Sequence, residues 1–170
     1  MRSFPFFLVL VCLFLGCNDL QKDKQELQDP GWQVTPADLP KLVPLNAKAR
    51  EAVLQWKEYQ VFEISFERMY GIDFREDFVL VLEELIERQK QWEASTYPPK
   101  FDTPQIKGRQ KVLKTYILKT KGNLEYREAP EQSIKEMITA FNALRGQFNS
   151  IVNNTLPEDL LKEENKNGGL

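Results

Sequence analysis

Histidine is absent from this chain of 170 residues, and cysteine occurs only twice, at Cys12 and Cys17. Without imidazole there is no Ser-His-Asp triad, no Cys-His pair, and no histidine general base or metal ligand. Past residue 17 there is no cysteine for a disulfide or a thiol nucleophile, so a packed core must hold the domain. The ExxH motifs of di-iron bundles and the CxxCH of covalent haem are missing as well, and no metal or other cofactor is expected. Carboxylate-only chemistry stays open, as in glycoside cleavage or calcium binding, but the expectation is a non-enzyme. An excess of either charge is also lacking. Lys and Arg number 23 against 25 Asp and Glu, a net charge of −2, which does not suit a nucleic-acid binder.

A long hydrophobic run is missing too. Residues 4–17, FPFFLVLVCLFLGC, hold an apolar stretch that follows Arg2 and ends after Leu15. It falls short of the roughly 20 residues a spanning helix needs, and has the proportions of a signal-peptide core. Gly16 places a small residue directly before Cys17. With Phe14 and Leu15 these residues resemble the signal and relaxed lipobox of bacterial lipoproteins. The resemblance implies removal of residues 1–16, diacylation of the Cys17 sulfur, and a further acyl chain on the new amino terminus. Anchoring to the cell membrane or the outer membrane would follow, with the domain in the periplasm or at the cell surface. Two or more acyl chains anchor stably where one binds only marginally.

Residues 17–45 read as the lipidated N-terminus and a tether. Pro30, Pro36, Pro40 and Pro44 interrupt it, and about 28 such residues span roughly 30 Å as a coil and roughly 95 Å when extended. Trp32, Val34, Leu39, Leu42, Val43 and Leu45 are too apolar for a wholly solvated linker, so its second half is expected to lie against the domain.

From residue 46 the periodicity becomes helical. Asn46 suits an N-cap for one helix reaching Gly71, with Ala49, Ala52, Val53, Trp56, Tyr59, Phe66 and Tyr70 on one face. A second helix, capped by Asp73, carries Phe74, Phe78, Val81, Leu82, Leu85 and Trp92. Asp102 or Thr103, followed by Pro104, opens a third, which Gly122 would end. Residues 111–127 admit a second reading as a hairpin turning at Lys121-Gly122-Asn123, since Val112, Tyr116 and Ile117 favour strands. Helix is favoured because both ends carry caps and an isolated hairpin is marginal. The fourth helix opens at Pro130 and carries Ile134, Met137, Ile138, Phe141, Leu144, Phe148, Ile151 and Val152. The expected fold class is all-α: an up-down-up-down four-helix bundle over residues 46–164, extended by Leu160 and Leu161, with residues 165–170 a flexible tail.

Two sets of side chains stand out. Glu63 lies within the first apolar stripe, where an unpaired carboxylate would be costly. Arg145 in the fourth stripe and Arg88 beside the second are its candidate ion-pair partners. The third helix presents Lys107, Lys111, Lys114 and Lys121 on one side. That face would either bind an anionic lipid or acidic partner or complement the acidic second helix, where Glu76, Glu83, Glu84 and Glu87 gather. The sequence thus predicts a non-catalytic interaction or assembly module, with the membrane and an envelope protein as partners and no nucleic acid. An inhibitor or immunity-type lipoprotein, or a carrier of an apolar ligand, are the alternatives.

Overall fold

A computed structural model of the chain describes Trp32 and residues 34–154. The signal segment with Cys17, the polar half of the tether, Leu160, Leu161 and the tail lie outside the described residues. Five helices follow one another: α1 (Ala47–Val53), α2 (Lys57–Arg68), α3 (Arg75–Glu93), α4 (Pro104–Glu125) and α5 (Glu131–Asn153), with short 3-10 turns at Pro36–Asp38 and Met69–Gly71. Among the described residues there is no strand. The third amphipathic segment is therefore helix through Glu125, and the hairpin reading is excluded.

Each of α2 to α5 packs on its neighbour in the chain, and α1 lies on α5. Cross-helix contacts run in opposite senses along each pair. Trp56 meets Ser95 while Ser65 meets Glu84, and Glu93 meets Lys114 while Arg75 reaches Leu124. On the last pair, Lys119 meets Glu136 and Arg109 meets Gln147. Neighbouring helices are thus antiparallel.

Aromatic rings fill the space between them. Trp56 is 4.8 Å from Tyr97, Phe62 is 4.9 Å from Trp92, Phe66 is 4.4 Å from Phe141, and Phe101 is 4.4 Å from Phe148, measured between ring centres. Such pairs add about 0.5–1.5 kcal/mol to the area term, which itself is about 1.5–3 kcal/mol for each fully buried large side chain. Phe62 and Phe101 are fully buried, and neither stood out in the sequence. Phe62 and Glu63 both fit a three-four stripe through Tyr59 and Phe66, and it is Phe62 that fills the core, while Phe101 follows a proline pair in a connection.

Three expectations are corrected. The first helix is two, because α1 lies on α5 while α2 packs chiefly on α3, and the chain bends at Leu54, Gln55 and Trp56 to serve both. Asp73 caps nothing and Phe74, at the N-cap position, is 54% exposed. The helix starts after it, and Arg75, in the first turn, is buried with Nη1 donating to the Leu124 carbonyl at 3.4 Å. Gly122 ends nothing either. Helix α4 continues to Glu125 and closes through Arg127, which takes the left-handed conformation (φ 55°) usually given to glycine. The Arg127 amide donates to Leu124 O at 3.1 Å and the Glu128 amide to Asn123 O at 2.8 Å, the paired bonds of a Schellman ending. The apolar second half of residues 17–45 lies against the domain as expected, with Leu39 and Leu45 buried and Trp32, Val34 and Leu42 packed on the core.

Two predicted caps are present. Asn46 Oδ1 accepts from the Ala49 amide at 2.8 Å, and Thr103 Oγ1 from the Ile106 amide at 3.4 Å behind Pro104.

Candidate functional site

Among the described residues, an extended polar seam joins α5 to the strap of residues 39–46 that leads into α1. The strap's ends, Leu39 (φ −80°, ψ 142°) and Asn46 (φ −68°, ψ 169°), are both extended. Such backbone makes no regular ladder, and three side chains of α5 bond it while a fourth bonds the Asn46 side chain. Asn142 Oδ1 accepts from the Val43 amide at 2.7 Å while its Nδ2 donates to the Lys41 carbonyl at 2.9 Å. Asn149 repeats the clasp, accepting from the Asn46 amide at 2.8 Å and donating to the Pro44 carbonyl at 3.0 Å. Asn153 then accepts from the Asn46 side chain at 3.2 Å.

The register of this seam has a geometric cause. Seven helical residues separate Asn142 from Asn149, a rise of about 10.5 Å. The two clasped backbone sites are offset by three residues, about 9–10 Å of extended chain. Two turns of helix therefore match three residues of strap, and each asparagine meets one donor and one acceptor.

Arg145, between the two asparagines, ties a third element to the seam. Its Nε donates to the Val43 carbonyl at 2.5 Å and its Nη1 donates to Glu63 Oε1 on α2. The Tyr59 hydroxyl donates to the same Glu63 oxygen at 2.9 Å. The arginine side chain keeps 8% of its surface exposed and the glutamate 21%, so the pair sits at the edge of the core. Burial above all, and then the Glu63 carboxylate, hold the Tyr59 hydroxyl well above its ordinary pKa, with Arg145 opposing. Nearer the strap's start, the Tyr70 hydroxyl donates to the Pro40 carbonyl at 2.6 Å, and burial pushes its pKa up to about 12.

Of the two arginines the sequence offers to Glu63, the structure brings Arg145 to it and leaves Arg88 elsewhere. Arg88 lies 3.6 Å from Glu84, which Arg68 also reaches at 2.6 Å. The Ser65 hydroxyl and these arginines hold the Glu84 carboxyl below its usual value.

The lysine face of α4 is largely matched within the molecule. Lys107 pairs with Asp102 at 2.5 Å, Lys114 with Glu93 at 2.6 Å, and Lys121 with Glu83 at 3.2 Å and Glu125 at 3.5 Å. Lys111 is exposed and makes no ion pair among the described residues. Two of these contacts join α4 to the acidic side of α3, the arrangement in which the lysines order the fold. A free anion-binding surface is left with Lys111 alone outside an ion pair.

Two open clefts flank the seam's far end. One of about 410 Å³ is bordered by Leu45, Val53, Leu54, Ile64, Glu63 and Arg145, and one of about 540 Å³ by Lys48, Ala52, Pro98, Pro99, Lys100 and Val152. Among the described residues no group of three or more acidic, cysteine or histidine side chains could hold a metal ion, and no helix is long and apolar enough to cross a membrane. The asparagines went unrecognised in the sequence, although their spacing at 142, 149 and 153, beside Arg145 and next to an apolar stripe, was its signal. No family model, no curated protein and no solved structure matches this chain.

Proposed function

We propose that the chain is a lipid-anchored protein of the bacterial cell envelope whose helices α2 to α5 form an up-down-up-down bundle on an extended, proline-rich tether. It acts as a non-catalytic interaction or assembly module. The antiparallel run of contacts along α2 to α5 supports the bundle. The observation that carries the function is the seam. The polar side chains along that flank of α5 are engaged in fixing the chain's N-terminal side to the domain, and Arg145, which also borders a cleft, makes its bonds to the strap and to Glu63. Trp32 is the fifteenth residue after Cys17, so an acylated Cys17 would keep the domain within at most about 50 Å of the bilayer. The seam would make that attachment oriented instead of free.

Metabolic labelling with a palmitate analogue, followed by fractionation of the envelope, tests the anchor. Label and membrane association are expected for the native chain, and their persistence in Cys17→Ser overturns the reading. Mild crosslinking in the intact envelope then tests the module. A resident envelope complex is the expected outcome, whereas capture of an incoming toxin or hydrolase moves the assignment to an inhibitor or immunity-type lipoprotein.

A further inference from the structure

Residues 34–53 behave as one arm, the strap followed by α1. The arm rests on α5 through both asparagine clasps, Arg145 and the packing of α1, and on the 3-10 turn Met69–Gly71 through the bond from Tyr70 to Pro40. Its covalent link to the rest of the domain passes through Leu54, Gln55 and Trp56. Leu54 still has helical backbone (φ −60°, ψ −31°), whereas Trp56 (φ −93°, ψ 80°) does not.

Nothing local requires that bend. Residues 53–57 are Val, Leu, Gln, Trp and Lys, with no glycine, proline or capping residue among them, and all are compatible with helix. The apolar positions Val53, Trp56 and Tyr59 keep helical spacing straight through it. Tertiary contacts hold it instead. The clasps pull α1 onto α5, Trp56 Nε1 donates to Ser95 Oγ at 2.8 Å, and Gln60 Nε2 donates to the carbonyls of Leu54 and, at 3.1 Å, of Val53, which also accepts the Trp56 amide at 3.0 Å. In a helix continuous from Ala47 to Arg68 those carbonyls would accept the amides of Lys57 and Glu58, and Gln60 would be released. Such a helix, about 33 Å long, would carry the strap away from its own α5.

We propose that the arm is exchanged between two copies of this chain, by straightening at Trp56, to give a domain-swapped dimer. The partner is a second copy because the arm fits one surface and that surface is present on each copy. Val43, Pro44 and Asn46 find the same asparagines there, and only the hinge changes. A short hinge whose local preference opposes its native bend is the feature that invites such exchange. The inference does not depend on membrane anchoring.

The test uses the full chain in detergent, with equal parts isotope-labelled and unlabelled protein mixed, warmed to just below the melting transition and cooled. Isotope-filtered NOEs are expected between arm methyls (Leu45, Val53) of one copy and Phe148 or Val152 of the other, in a dimer whose share rises with concentration. Gln60→Ala, which removes the cap on the bend, is expected to raise that share several-fold. Lys57→Pro is expected to abolish it. Lys57 is the first residue of α2, where proline is accommodated, and Trp56 (ψ 80°) is already out of the α region that a following proline disfavours. A continuous helix has no place for it. Absence of interchain NOEs for the native chain and Gln60→Ala at every concentration overturns the proposal, whether or not Lys57→Pro folds. A dimer with only intrachain arm contacts does the same.

Discussion

Arg145 joins Glu63 of α2 to the Val43 carbonyl of the strap, so one guanidinium closes the seam from both sides. The two partners are therefore unequal. Removing Glu63 leaves Arg145 bonded to the strap, whereas removing Arg145 leaves a part-buried carboxylate and an unmet carbonyl together. Arg145→Ala is expected to cost about 2–4 kcal/mol and Glu63→Ala about half that, with the double variant well short of the sum. Urea unfolding of the four proteins reads this. Equal single costs that add would show that the pair contributes nothing as a unit.

The asparagine clasps predict a local effect distinct from a global one. Asn142→Ala should speed hydrogen exchange at the Val43 amide and leave Asn46 slow, and Asn149→Ala should do the reverse. Each is expected to cost about 1 kcal/mol in overall stability. Asn149→Asp provides the sharper control, since it keeps the acceptor for Asn46 and loses the donor to Pro44. Exchange rates unchanged at both amides would mean that the strap is held by apolar packing alone.

Tyr70 gives the seam an alkaline limit. Its pKa is raised from 10.0 to about 12 in the folded protein, chiefly by burial, so the unfolded chain releases this proton first. The stabilisation it contributes is complete below pH 10 and is lost as pH rises toward 12. Tyr59, raised for the same leading reason, acts in the same direction. Melting temperatures followed from about pH 9 upward should fall less steeply in Tyr70→Phe than in the native chain, although that variant starts lower for want of the bond to Pro40. Parallel slopes in the two proteins would remove Tyr70 as the cause.

Helical content was legible because it rests on repeated local preferences. The stripes of α3 and α5, the Asn46 and Thr103 caps and Pro104 at the start of α4 each state in a few residues what the backbone does. The bend at Trp56 was not legible, because Leu54 and Gln55 favour helix and the contacts that overrule them come from Ser95 and from asparagines about a hundred residues away. Glu63 could be marked from its place in an apolar stripe, and Arg145 from its own. The asparagine seam offered only the spacing of Asn142, Asn149 and Asn153 beside a stripe, which does not say what they bind, since their partner is backbone and backbone leaves no trace in composition. Arg88 and Arg145 had equal claims on Glu63 until the packing of α2 between its neighbours was known.

The end of α4 separates the sequence reading from the structure in a single pair of substitutions. If Gly122 were the helix stop, it would need its conformational freedom, and Gly122→Ala would destabilise. In the structure it is an interior helical residue at negative φ, and an added Cβ meets nothing within 4 Å. Gly122→Ala is accordingly expected to stabilise by about 0.5–1 kcal/mol. Arg127 carries the left-handed conformation instead (φ 55°), which a side chain adopts only at a cost of about 1 kcal/mol. Arg127→Gly relieves that cost while keeping the backbone bonds to Leu124 and Asn123, and is expected to stabilise by a similar amount. Thermal melts of both variants decide the matter together. A lower melting temperature for Gly122→Ala with no gain for Arg127→Gly would place the end of α4 at residue 122 after all.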